Sequence, residues 1–117
     1  MDRTIREEDE IKLNRLVDSL GEKLDLKTSL AREAMKAAVI NVKLLDEKQQ
    51  DYGSSNLTKF GTYGVLVRLN DKVERLANLK KSDSTPKNET LVDSWQDAAN
   101  YGLIGFLMES ERWGTSI

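Results

Sequence analysis

The sequence predicts an all-α protein. Apolar residues recur at three- and four-residue intervals in four separate stretches, and no stretch alternates apolar with polar residues as a half-buried strand would. The stretches are divided by short runs rich in Gly, Ser, Asn, Asp or Pro, which is turn chemistry. Four amphipathic helices on short connections point to a four-helix, bundle-like fold.

The first helix is expected over Thr4–Leu20, with Ile11, Leu13, Leu16, Val17 and Leu20 as its apolar face and Gly21 as its stop. Its opening acids, Glu7-Glu8-Asp9-Glu10, suit the positive end of a helix dipole. The second runs over Ser29–Gln50, where Ala34, Ala37 and Ala38 favour helix and let a neighbour come close. Asp51-Tyr52-Gly53-Ser54-Ser55-Asn56 then reads as a loop. The third runs over Thr62–Lys81, with Val65, Leu66, Leu69, Val73, Leu76 and Leu79 at helical spacing. The segment 82–88 holds the only proline and reads as a surface linker. The fourth runs over Glu89–Trp113, is broadly apolar, and ends at Gly114. Trp95 and Trp113 read as packing residues. So wide an apolar helix in a short chain points to a homo-oligomer that covers it, although a central helix in a monomer would show the same pattern.

The length of 117 residues suits one helical domain, with residues 1–26 as an N-terminal helix and turn and 27–117 as the core helices. There is no cysteine and no histidine, so thiolate chemistry, Cys or His metal ligation and the usual imidazole base are all excluded. What is left is carboxylate, ammonium, guanidinium and hydroxyl chemistry, and magnesium or manganese are the metals that suit it. A formal net charge of −2 argues against duplex nucleic acid as a partner, although a single nucleotide held by a few cations remains open. The charged N-terminus has no apolar segment of a targeting signal, and no run approaches membrane-spanning length. The expected location is the cytoplasm.

Three constellations could carry chemistry. On the fourth helix, Glu89, Asp93, Gln96, Asp97 and Asn100 share one stripe. Acids four apart repel by about 0.2–0.5 kcal/mol, and a divalent cation would relieve that. The competing reading is a solvated acidic face near the helix start. On the third helix, Arg68, Asp71, Lys72 and Arg75 form a stripe that could brace phosphate oxygens. Its competing reading is a surface ion-pair ladder. The loop at 51–56, continuing to Lys59-Phe60-Gly61, offers glycines for close backbone approach and Tyr52 or Phe60 to stack on a base. It reads equally as an ordinary turn with a hydrophobic anchor. Its glycine spacing fits neither a Walker A loop nor a dinucleotide fingerprint.

Together, Asp51-Tyr52-Gly53 with Asn56 and Phe60-Gly61, then Arg68-Leu69-Asn70-Asp71-Lys72 with Arg75-Leu76, then Glu89, Asp93, Asp97 and Asn100-Tyr101, resemble the nucleotide-modification-associated domain family, type one. The resemblance spans roughly residues 48–106. It implies a phage or bacterial protein acting on nucleotides around DNA modification. More distantly, the chain is similar to the all-α nucleoside triphosphate pyrophosphohydrolases of the MazG and dimeric dUTPase type, which hold magnesium with acidic pairs on two helices. It departs from those enzymes in spacing, since Asp93 and Asp97 lie four apart and partner acids would come from Glu47, Asp51 or Asp71.

The resulting expectation is a nucleotide-handling protein. As a pyrophosphohydrolase it would hold magnesium on Asp51, Asp93 and Asp97, and use Asp97, Asp71 and Lys72 in catalysis. Tyr52, Asn56, Lys59, Arg68, Arg75 and Asn100 would bind the nucleotide. The alternatives are a non-catalytic protein that sequesters a nucleotide, as an anti-defence phage protein would, and a helical protein-interaction module.

Overall fold

The computed structural model describes residues 7–52, 59–82 and 90–112. Among them the chain is all-helical: α1 (Glu7–Lys23), α2 (Ser29–Tyr52), α3 (Gly61–Ser82) and α4 (Leu91–Glu109). No helix among the described residues is long and apolar enough to cross a membrane. The chain divides into two compact units within α2, between Glu47 and Lys48.

The N-terminal unit contains α1 and most of α2. Gly21 does not stop α1 but lies buried inside it. The helix ends in a Schellman motif: the Leu26 N–H donates to the Gly21 carbonyl at 2.8 Å and the Asp25 N–H to that of Glu22 at 3.1 Å. Asp25 holds the left-handed conformation this motif requires, with φ 59°. Gly21 serves close approach instead, because a Cβ there would stand 2.7 Å from Nη1 of Arg32. That guanidinium lies across the end of α1, donating to the Asp18 carbonyl at 3.4 Å and pairing with its carboxylate at 3.7 Å. Thr28 caps α2, accepting from the Ala31 N–H at 3.1 Å. Val17 and Leu44 form the buried apolar centre, while Ile11 and Leu16 of the expected face are about half exposed.

The C-terminal unit contains the end of α2, α3 and α4. The backbones of α3 and α4 pack against each other. The Lys72–Asp97 ion pair, at 3.1 Å, joins the two helices. α3 opens on Gly61 at φ +64°, where a side chain would be strained. α4 opens on a capping box: the Asp93 N–H donates to Thr90 Oγ1 at 3.0 Å and the Thr90 N–H to Asp93 Oδ2 at 3.4 Å.

At its other end α4 stops on a second Schellman motif. The Arg112 N–H donates to the Leu107 carbonyl at 2.8 Å, and Glu111 takes φ 60°. The stop therefore comes before Gly114, which lies outside the described residues. Val65, Leu76 and Ile104 are the buried apolar side chains of this unit. Three polar residues of α4, Ser94, Asp97 and Asn100, are buried with them. Trp95, read from the sequence as a packing residue, is 60% exposed.

Candidate functional site

The cationic stripe of α3 and the polar stripe of α4 meet in the C-terminal unit. Arg68, Asp71, Lys72 and Arg75 line an open groove of about 680 Å³, and Tyr101 of α4 completes its wall. These α3 positions recur at i, i+3, i+4 and i+7, so the helical repeat alone sets them on one side of α3. Tyr101 is one turn beyond Asp97 on α4 and brings an aromatic ring to the same groove.

Below the groove sits Asp97, with a side chain only 8% exposed. Its Oδ2 pairs with Lys72 Nζ at 3.1 Å and its Oδ1 with Lys48 Nζ at 3.4 Å. A buried carboxylate is stable only when paired, and here each oxygen has an ammonium. Lys72 therefore has two roles: it lines the groove and it neutralises Asp97. Lys48 restores the positive charge that Asp97 removes. The groove keeps three positive side chains, Arg68, Lys72 and Arg75, against the single carboxylate of Asp71.

No family model, curated protein or solved structure matches this chain.

The remaining expected site residues are dispersed. Asn100 is buried, 6% exposed, one turn from Asp97 on the inward stripe of α4. Asp93 belongs to the capping box of α4. Asp51 is exposed on the last turn of α2. Among the described residues, no three carboxylates gather into a set that could hold a metal ion; in particular, Asp51, Asp93 and Asp97 do not form one. Lys59 lies with its ammonium 5.7 Å from the ring centre of Phe60, and that ring is 68% exposed. The Tyr52 side chain, Asn56 and Glu89 lie outside the described residues.

Lys48 was not legible as a site residue. It stands in the mixed-charge run Asp46-Glu47-Lys48-Gln49-Gln50, and its partner is 49 positions away. The only local hint was its place near a helix C-terminus, where a cation is common for reasons of the dipole alone. Tyr101 is a further groove residue that sequence reasoning missed.

Proposed function

We propose that the α3–α4 pair binds the phosphate end of a nucleotide in the Arg68–Lys72–Arg75 groove. The observation that carries this reading is the pairing of three cations on one open wall with a buried carboxylate that fixes the middle one. Two guanidiniums offer bidentate donors to phosphate oxygens, and an ammonium offers a point charge between them. Tyr101 supplies a flat apolar face for a base or sugar at the edge of the same groove. The likeness of the α3 and α4 motifs to the nucleotide-modification-associated domain supports a nucleotide over a bare phosphate.

The reading is of a binding protein, a homo-oligomeric helical bundle acting in the cytoplasm. Both Asp97 oxygens are occupied by lysines and Asp93 is used as a cap. Charge recognition therefore rests on the cations of the groove, and magnesium enters with the nucleotide rather than on a carboxylate cluster.

Calorimetric titration with pyrophosphate and with each deoxynucleoside triphosphate, with and without magnesium, tests this. Binding is expected without the metal and weaker with it, because magnesium neutralises the phosphates. Losing a hydrogen bond to a charged group costs about 1.5–3 kcal/mol. Arg68→Gln and Arg75→Gln should therefore each weaken binding by roughly ten-fold or more. Affinity that appears only with magnesium, together with release of pyrophosphate from the triphosphate, would replace the binding reading with a hydrolytic one. No binding at millimolar ligand would leave a helical interaction module.

A further inference from the structure

α4 is inverted relative to an ordinary amphipathic helix. Its inward positions are Ser94, Asp97, Asn100 and Ile104, three of them polar. Its outward positions include Val92 at 68% exposure, Trp95 at 60%, Leu103 at 40% and Phe106 at 69%. Ala99 and Gly102 are exposed between them. None of the exposed positions from Val92 to Phe106 carries a charge. The spacing 92, 95, 99, 102/103, 106 is a seven-residue repeat, the pattern of a helix that seats another helix.

The stripe is also nearly symmetrical about Ala99. Val92 and Phe106 stand seven residues to either side of it, Trp95 and Leu103 four, Gln96 and Gly102 three. In an antiparallel pairing of two α4 helices about a two-fold axis at Ala99, each large apolar side chain meets a large apolar side chain. Ala99 meets its own copy, where a small residue lets the backbones approach. Gln96 of each copy falls over Gly102 of the other, and nothing lies within 4 Å of where a Cβ would stand at Gly102. Self-complementarity of this kind defines an isologous interface.

The four large side chains expose on the order of 450 Å² of apolar surface, well above what scattered surface residues explain. Two copies would bury about twice that from these residues alone. With the flanking contacts, the total reaches the ~1,000 Å² expected of a specific interface.

We infer that the outer face of α4 is a homodimer interface, in which two copies of this chain pair antiparallel across Ala99. The inference is independent of what the groove binds.

The test uses the full chain with a charge exchange. Sedimentation equilibrium of the unaltered protein at concentrations up to the order of 100 µM should give a dimer. Ala99→Glu and Ala99→Lys each oppose like charges at the crossing and should each be monomeric, with unchanged helical circular dichroism. Mixing the two variants should restore a dimer, a rescue that only pairing of residue 99 with itself can produce. The chain has no cysteine, so Ala99→Cys should cross-link on mild oxidation, while Lys80→Cys, exposed at the far end of α3, should not. An unaltered protein that stays monomeric would overturn the inference and give the face to another part of the same chain. Dimers that survive both charged variants, or a mixture that fails to associate, would also overturn it.

Discussion

Asp97→Asn separates the structural part of the buried cluster from any part it plays in binding. At an effective dielectric near 20, charges 3.1 and 3.4 Å apart attract by about 5 kcal/mol each before the opposing desolvation is counted. Most of that is offset by burying the carboxylate, and the Lys48 term shrinks further because Lys48 is 37% exposed. What remains is set mainly by Lys72, whose side chain is 20% exposed and would lose the Asp97 carboxylate. Removing one partner of a fully buried pair costs about 3–5 kcal/mol; with both lysines partly in water, about 2 kcal/mol is expected here. For a chain of this size that is a fall in Tm of roughly 10 °C. Thermal unfolding followed at 222 nm measures it. Lys72→Met added to Asp97→Asn removes the ammonium that had faced the carboxylate and should recover part of the loss, so the two changes should be non-additive. A single variant as stable as the unaltered protein, or a double variant whose loss is the plain sum, would refute the pairing as a source of stability. The result also bears on function, because lost binding in Asp97→Asn alone would reflect a weakened fold as much as a missing ligand contact.

Three smaller changes probe the remaining links. Lys48→Met removes one counter-ion of Asp97 and takes one charge from beneath the groove; pyrophosphate affinity should fall several-fold while Lys48→Arg keeps it, as read by calorimetry. Gly61→Ala places a side chain at φ +64°, where L-residues are strained, and should lower stability by about 1–2 kcal/mol in urea unfolding. Glu111→Gly relieves the same strain at the end of α4 and should raise stability by about 1 kcal/mol in the same assay.

How much the sequence disclosed differs from one feature to the next. The 3.6-residue period set both ends of α2 and α3 to within two residues, because nothing in the surroundings competes with it. The ends of α1 and α4 differ from the sequence reading for one shared reason. Glycine is the usual left-handed cap, so Gly21 and Gly114 drew the boundary, whereas Asp25 and Glu111 take that conformation. The Arg68–Arg75 stripe was legible because its four members lie within eight residues of one helix. Lys48 was not, since its role exists only once α2 and α4 meet.

The orientation of α4 is not written in its periodicity, and the cause is physical. A helical period shows that a helix has two faces; it does not say which one the fold buries. The sequence of α4 offers Ser94, Asp97 and Asn100 on one side and Val92, Trp95 and Phe106 on the other, and the usual rule would bury the second set. The structure buries the first, which is tolerable because α3 and the end of α2 supply Lys72 and Lys48 to Asp97. The polar interior and the apolar exterior are thus two sides of one arrangement. Turning α4 to hide Trp95 and Phe106 would pull Asp97 away from both lysines and take Tyr101 out of the groove. An apolar outer face left in place under that constraint is stabilised most simply by a partner that covers it. The groove and the proposed pairing surface are therefore linked through the rotation of a single helix. In Ala99→Glu the groove stays as it is, because Ala99 and Asp97 lie on opposite sides of α4. Its affinity for pyrophosphate, measured in the monomeric variant, should stay within about two-fold of the unaltered protein; a larger loss would mean that α4 keeps its rotation only when a second copy holds it.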